Sequence, residues 1–149
     1  MKSVCFFGML FVLIFPLKGT AQNTQMQREI EASIKAMMKC AAEKDIEGCM
    51  AYWSNSKDFV FIADGEEMDI EALKAFYHDF FNSLEHHEVI KHSVEVWPLG
   101  KYKAYCIWRG AERYTMKGQA SVTSHWVSTL IMENKKGGWV ILHGHSSHF

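Results

Sequence analysis

The stretch that decides the fold is the end of the chain, Gly137-Gly138-Trp139-Val140-Ile141-Leu142-His143-Gly144-His145-Ser146-Ser147-His148. Alternate side chains of a β-strand share a face. One predicted face is apolar and ends in two histidines: Trp139, Ile141, His143 and His145. We therefore predict a final strand whose histidines either form the polar end of a pocket or lie outside it.

The residues before this strand predict its partner. Residues 135–138 contain two glycines and two lysines, a composition typical of a hairpin turn. They follow residues 122–132, which form another β-type segment. Three further β-type segments, at residues 89–99, 103–108 and 111–116, are separated by Gly100 and Gly110. Consecutive strands joined this tightly are antiparallel.

Helical spacing dominates the first half of the chain. Thr24 and Gln27 form a capping-box pattern that predicts the start of a first helix, which ends near Lys44. Asp45 and Asp69 are predicted N-caps of a second and a third helix. A short β-type segment lies between those two helices: Phe59, Val60, Phe61 and Ile62. The predicted class is α+β, with N-terminal helices on an antiparallel sheet.

Residues 1–21 are typical of a signal peptide. Lys2 precedes an apolar run over residues 5–15, and small residues end the segment at Gly19-Thr20-Ala21. This run is short against the roughly 20 residues that span a bilayer. We predict a mature chain of residues 22–149 that forms one domain, is exported to the periplasm or secreted, and has no membrane attachment after cleavage.

Charge and cysteine content limit the function classes. The formal net charge is −1, and cleavage would remove two lysines and no acid, so a nucleic-acid partner is not expected. Export would place Cys40, Cys49 and Cys106 in an oxidising environment. Cys40 and Cys49 flank a predicted turn between helices and are close enough in sequence for a disulfide, but all three cysteines could equally be buried apolar residues.

Four segments together carry a resemblance to a known family. They are Ala41-Ala42-Glu43-Lys44-Asp45, Met50-Ala51-Tyr52-Trp53, Phe59-Val60-Phe61-Ile62 before Asp64-Gly65, and Gly138-Trp139-Val140-Ile141-Leu142-His143-Gly144-His145-Ser146-Ser147. With them the chain resembles the nuclear transport factor 2-like (SnoaL-like, cystatin-like cone) superfamily. The resemblance implies a strongly curved sheet that forms a cone with an internal apolar pocket, and a dimer formed through the sheet. Members range from isomerases, cyclases and dehydratases to domains that only bind or assemble, so fold does not fix function.

The candidate catalytic residues are His143, His145 and Asp64. Imidazole is the side chain most easily poised for proton transfer near neutral pH, so either histidine could take a proton beside a carbonyl group. The alternatives are that the histidines fix the end of the strand and that Asp64 is a turn residue before Gly65. A metal site through His148 is not predicted, because His148 would face away from the histidine pair. His86 and His87 are predicted surface residues.

Aromatic residues are the candidate walls of a pocket. The set is Trp53, Phe61, Phe80, Trp108 and Trp126, and each could equally be core. Arg109 could bind a carboxylate or lie exposed at a strand end. No nucleophile elbow, P-loop or dinucleotide glycine pattern occurs, and no cofactor is predicted. The hypotheses are a domain that binds a small apolar molecule, a cofactor-independent isomerase, cyclase or dehydratase with a pocket histidine as acid or base, and a non-catalytic assembly module.

Residues 122–132 also predict a homodimer. Both faces of this segment carry apolar side chains, such as Trp126 on one and Val127 on the other. A sheet with one solvated face alternates apolar and polar residues more sharply. Helices can cover only one face, so the other is expected to pair with a second copy.

Overall fold

The computed structural model describes residues 18–136 and 138–149. Within them the chain forms three helices and six strands, in the order α1 (Lys18–Ala42), α2 (Ile46–Met50), β1 (Val60–Ala63), β2 (Glu66–Met68), α3 (Ile70–Ser83), β3 (Leu84–Pro98), β4 (Lys103–Met116), β5 (Val122–Lys135) and β6 (Gly138–His148). The helices pack on one face of a curved, unclosed sheet. The predicted α+β class is confirmed.

The start of the chain differs from the expectation at one point. Residues 1–17 of the predicted signal peptide lie outside the described residues, so export stays a prediction. In the full-length chain, with residues 1–21 still present, α1 begins at Lys18. The helix start predicted at Thr24 is therefore wrong for the uncleaved chain. None of the described helices is long and apolar enough to cross a membrane.

Helix α1 is held by a stripe of buried side chains at helical spacing. Its members are at most 4% exposed: Met26, Ile30, Ile34 and Met37. These side chains pack into a core with residues of β3, β5 and β6, which include Val94, Leu130 and Ile141. This apolar stripe has the helical spacing on which the predicted first helix rests, and it covers the concave face of the sheet.

Both predicted N-caps are confirmed. The Asp45 carboxylate accepts a hydrogen bond from the Gly48 backbone N–H at 2.9 Å, and Asp69 accepts one from the Ala72 N–H at 2.8 Å. Such bonds satisfy backbone donors that the first turn leaves without partners. Helix α2 ends at Met50, because the chain after it turns to pair Trp53 with Ile141 of β6.

The strand order of the sheet is β2-β1-β6-β5-β4-β3. Strands β3 to β6 are consecutive and antiparallel, as predicted. Strand β1 instead lies parallel to β6, with Val60 opposite His143, and pairs with β2 through the Asp64-Gly65 turn. The sheet is therefore mixed, because a strand from early in the chain adds to the strand that ends it.

The predicted break at Gly110 is wrong, since β4 runs through this residue without interruption. Gly110 faces the Trp126 side chain across the sheet, and a Cβ atom there would lie 2.4 Å from the indole ring. It would also lie 2.5 Å from the Lys91 carbonyl oxygen. Glycine is needed at this position for close packing inside a strand.

A β-bulge overturns the predicted faces of the last strand. Met132 pairs with Ile141 and Ile131 pairs with His143, so Leu142 is the extra residue. One extra residue moves every later side chain to the other face. Gly144 and Ser146 are consequently buried on the same face as Ile141, while both histidines of the predicted stripe are exposed.

The three described cysteines are not bridged. Cys40 is half-buried, and burial raises the pKa of Cys49 and of Cys106 to about 12. Cys40 packs against the small core cluster that contains Cys49, which agrees with the expectation that α1 and α2 bring them together. Cys106 lies in the core of β4, as a buried apolar residue does.

Candidate functional site

A cavity of about 410 Å³ lies between α1, α3 and the concave face of the sheet. Its wall includes all five aromatic residues predicted to line a pocket: Trp53, Phe61, Phe80, Trp108 and Trp126. The rings of Trp53 and Phe61 pack edge to face with their centroids 4.9 Å apart. Those of Trp108 and Trp126 do so with centroids 5.5 Å apart. These contacts give the cavity rigid, apolar walls.

The alternation of strands β4 and β5 places these side chains. Even-numbered residues face the cavity, among them Glu112 and Tyr114 on β4 and Ser124 and Ser128 on β5. The buried Ser128 hydroxyl lies 2.9 Å from that of Ser146 on β6, so these two groups satisfy each other. The inner surface therefore combines aromatic rings with a few polar groups at defined places.

A histidine and a carboxylate form a pair inside the cavity. His87 Nε2 lies 2.9 Å from Glu112 Oε2, and the two side chains are only 14% and 17% exposed. The rings of His87 and Phe80 are nearly perpendicular, with their centroids 6.4 Å apart. A carboxylate on Nε2 favours the tautomer with a proton on that nitrogen, which leaves Nδ1 as the basic atom. This arrangement suits general acid–base chemistry on a bound molecule.

The prediction that His87 lies on the surface is wrong. Strand β3 begins at Leu84, immediately after α3, and His87 pairs with Tyr114 on the cavity side. His87 and Val89 both line the cavity. The two-residue period shared with Val89 was the sequence signal that could have identified it.

A second pair lies at the mouth of the cavity. The Asp64 carboxylate accepts hydrogen bonds from the His148 backbone N–H at 2.7 Å and approaches its ring Nδ1 at 2.8 Å. Partial burial acts to raise the pKa of Asp64. The bonds to His148 and the charges of His148 and His145 outweigh this effect, so the pKa lies below its usual value. Asp64 is both a turn residue with φ of 52° and part of the cavity wall.

Three of the predicted site residues lie outside the cavity. His143 and His145 are exposed on the outer face of the sheet, because the bulge at Leu142 reverses the side chains that follow it. Arg109 is also on the outer face, where its guanidinium pairs with Glu95. The structure thus brings Asp64 to the cavity and leaves the two predicted histidines and the arginine on the opposite side.

No metal site is formed by the residues that the structure describes. No group of three His, Cys, Asp or Glu side chains among them could hold an ion. His148 faces the cavity, while His143 and His145 face outward. The three histidines therefore lie on opposite faces of the sheet and cannot bind one metal ion together.

Comparison with protein families agrees with this architecture. The model of the SnoaL-like domain matches residues 30–149, which is most of the chain. The chain belongs to the SnoaL-like domain family. The resemblance to the nuclear transport factor 2-like superfamily is thereby confirmed. None of the curated proteins compared with this SnoaL-like chain matches it in sequence.

Solved structures share the fold of this SnoaL-like protein. A candidate scytalone dehydratase from Novosphingobium aromaticivorans is 12% identical with a TM-score of 0.78, over 87% of this chain and 88% of that one. A candidate dehydratase of the NTF2-like family from Streptomyces avermitilis is 14% identical with a TM-score of 0.73, over 85% and 97%. A ketosteroid isomerase-like protein from Erwinia carotovora atroseptica is 16% identical with a TM-score of 0.62, over 84% and 97%. At these identities the comparisons show the fold alone.

Proposed function

We propose that this SnoaL-like protein binds a small apolar, ring-bearing molecule in its cavity. The observation that carries the proposal is the aromatic lining of a cavity of about 410 Å³. Sites for small molecules are concave, mostly apolar and of roughly 300–1,000 Å³. Flat aromatic walls such as Trp108 and Phe61 favour a ligand that is itself flat and cyclic.

Binding of the bicyclic hydrocarbon tetralin tests this proposal. We expect saturable quenching of tryptophan fluorescence, because three of the five tryptophans line the cavity. Ser124→Phe places a ring inside the cavity and should abolish binding, whereas Thr123→Phe places the same ring on the outer face and should not. Equal affinity in the two variants, or no saturable binding to the unmodified chain, would contradict the proposal.

A second candidate function is catalysis without a cofactor, of the isomerase, cyclase or dehydratase kind. The specific observation in its favour is the shielded His87–Glu112 pair within the cavity. Neither His143 nor His145 can serve as its base in this arrangement, since both side chains lie on the other face of the sheet. His87 takes the role of acid or base, and Glu112 orients it.

The outer face of the sheet supports a homodimer. It carries apolar side chains of β4 and β5 that the helices do not cover: Tyr105, Ile107, Val127 and Ile131. Val127 is 36% exposed, and Trp97 on the neighbouring strand is 43% exposed. The same face also carries the Arg109–Glu95 ion pair beside Val127. An apolar patch bordered by polar residues marks an interface, and a twofold pairing of identical faces is the commonest form.

Light scattering at micromolar concentration should therefore give about twice the mass of the chain. Val127→Lys adds a second positive charge beside Arg109 on this face and should shift the protein toward the monomer. Gln119→Lys, in the turn between β4 and β5, adds the same charge away from the face and should leave the mass unchanged. A monomer at every concentration would refute the dimer.

Export completes the proposal, and it is supported by the sequence of residues 1–21 alone. Intact-mass analysis of protein from its native host should give a chain that begins at Gln22. A mass that retains residues 1–21 would contradict cleavage.

A further inference from the structure

Two turns meet at one end of the sheet. The turn between β3 and β4 lies beside the turn that follows β5, because the Tyr102 carbonyl oxygen accepts a hydrogen bond from the Asn134 backbone N–H at 2.8 Å. Together the turns form one surface, the hairpin tip, which comprises residues 99–103 and 133–136.

Two large apolar side chains of the hairpin tip extend into solvent. Leu99 is 55% exposed and Tyr102 is 56% exposed. Among the described large hydrophobic residues only Phe149, at the end of the chain, is more exposed. Lys101 Nζ lies 4.9 Å from the centre of the Tyr102 ring. Isolated exposed apolar residues are common, but two in one short turn beside a lysine form a patch that the core does not account for.

The hairpin tip carries an excess of positive charge. Residues 97–105 and 131–140 contain four lysines and one acidic residue, Glu133, although the whole chain has a net charge of −1. Lys103 and Lys135 each lie 3.6 Å from the Glu133 carboxylate, which cannot neutralise both. The lysines of the hairpin tip are Lys101, Lys103, Lys135 and Lys136.

This combination of side chains fits a lipid surface better than a protein partner. Leucine enters the boundary between headgroups and acyl chains, tyrosine lies at the level of the headgroups, and lysine attracts anionic lipids. A stable protein interface needs roughly 20–30 residues on each side, far more than the hairpin tip provides. A bilayer needs no matching shape, so a small patch is sufficient.

We propose that the hairpin tip is a contact site for the surface of a bilayer rich in anionic lipids. Leu99 and Tyr102 enter the headgroup region, and the lysines bind the lipid phosphates. The contact is reversible and needs no membrane-spanning segment. This role goes beyond ligand binding in the cavity. It departs from the sequence-based expectation of no membrane contact, which rested on residues 1–21 alone.

Sedimentation with sucrose-loaded vesicles tests the proposal with the full chain. The vesicles contain equal parts of phosphatidylglycerol and phosphatidylcholine. Leu99→Ser should weaken binding at least about tenfold, because it removes the apolar side chain that enters the bilayer. Lys101→Glu should weaken binding at least about fivefold, the contribution of one lysine near an anionic surface. Both positions are exposed, so the circular dichroism spectra should not change.

The turn at the other end of β4 provides matched controls. Val122→Ser and Lys117→Glu make the same kinds of exchange there, and Val122 is itself 43% exposed. Neither variant should change the affinity for the vesicles. Residues 1–21 are present in every variant, so any binding that they contribute is the same throughout the comparison.

A local measurement is independent of residues 1–21. A polarity-sensitive dye attached to Leu99→Cys should shift its emission to shorter wavelength with the mixed vesicles, and much less with phosphatidylcholine alone. The same dye attached to Val122→Cys should not respond. The unsubstituted chain, treated with the dye in the same way, gives the background from Cys40, Cys49 and Cys106.

Equal effects of the tip variants and their controls would overturn the proposal, because the whole surface would then contribute alike. An equal response of the dye at positions 99 and 122 would also overturn it. If Leu99→Ser left vesicle binding unchanged and lowered the mass measured by light scattering, the hairpin tip would be an interface between copies of the chain. None of these outcomes affects the binding of tetralin in the cavity.

Discussion

His87→Gln should lower the catalysed exchange of the α-hydrogens of 1-tetralone with D₂O by a factor of about 10²–10⁴, the usual contribution of a general base. The exchange requires removal of a proton beside the carbonyl group. His87 is the histidine that the cavity shields and that Glu112 holds at 2.9 Å. Proton NMR of the ketone follows the loss of the α-hydrogen signal directly.

Two variants make this result specific. Glu112→Gln keeps the size of the side chain and removes the charge that orients the imidazole, so we expect a smaller loss. His145→Gln removes a histidine from the outer face and should leave the exchange rate unchanged. Equal losses in His87→Gln and His145→Gln, or no exchange above the rate in buffer, would contradict the catalytic hypothesis and leave ligand binding untouched.

Gly110→Ala should lower the free energy of unfolding by about 1–3 kcal/mol or more, the cost of forcing extra atoms into a packed core. The added Cβ would lie 2.4 Å from the Trp126 ring and 2.5 Å from the Lys91 carbonyl oxygen. The backbone oxygen cannot move without shifting β3 against β4. Urea unfolding followed by circular dichroism measures the loss.

Gly144→Ala provides the comparison. Its Cβ would meet side-chain carbons of Phe61 and Leu130 at 2.8 and 2.9 Å, and side chains yield more readily than a backbone oxygen. We therefore expect the smaller loss there. In a Trp126→Phe background, Gly110→Ala should still lower the free energy of unfolding, but by less than in the unmodified chain, because the contact with Lys91 remains. No loss in that background would show that the ring alone causes the strain.

Local patterns in the sequence predicted many elements of this fold. The α1 stripe of Met26, Ile30 and Ile34 follows from helical spacing, and the caps at Asp45 and Asp69 follow from the chemistry of a single residue. Each of these features depends on neighbours within one or two turns of the chain. The aromatic wall of the cavity was predictable for the same reason, since large apolar residues of an α+β domain face its interior.

The polar part of the site was not predictable in the same way. One extra residue at Leu142 reverses the faces of the last strand, and it is visible only when Met132 is paired with Ile141. The start of β3 at Leu84 similarly decides that His87 faces the cavity. A change of one residue in register alters the direction of every side chain that follows.

By itself, the sequence determined the class of the fold, the caps and stripe of its helices, and the aromatic residues of the cavity. Only the tertiary structure decided that His87 meets Glu112 and that Asp64 meets His148, because these pairs join residues 25 and 84 positions apart. Periodicity describes which side chains share a face of one element. Which faces meet depends on strand register and on the parallel pairing of β1 with β6. Both are set by the packing of the whole sheet.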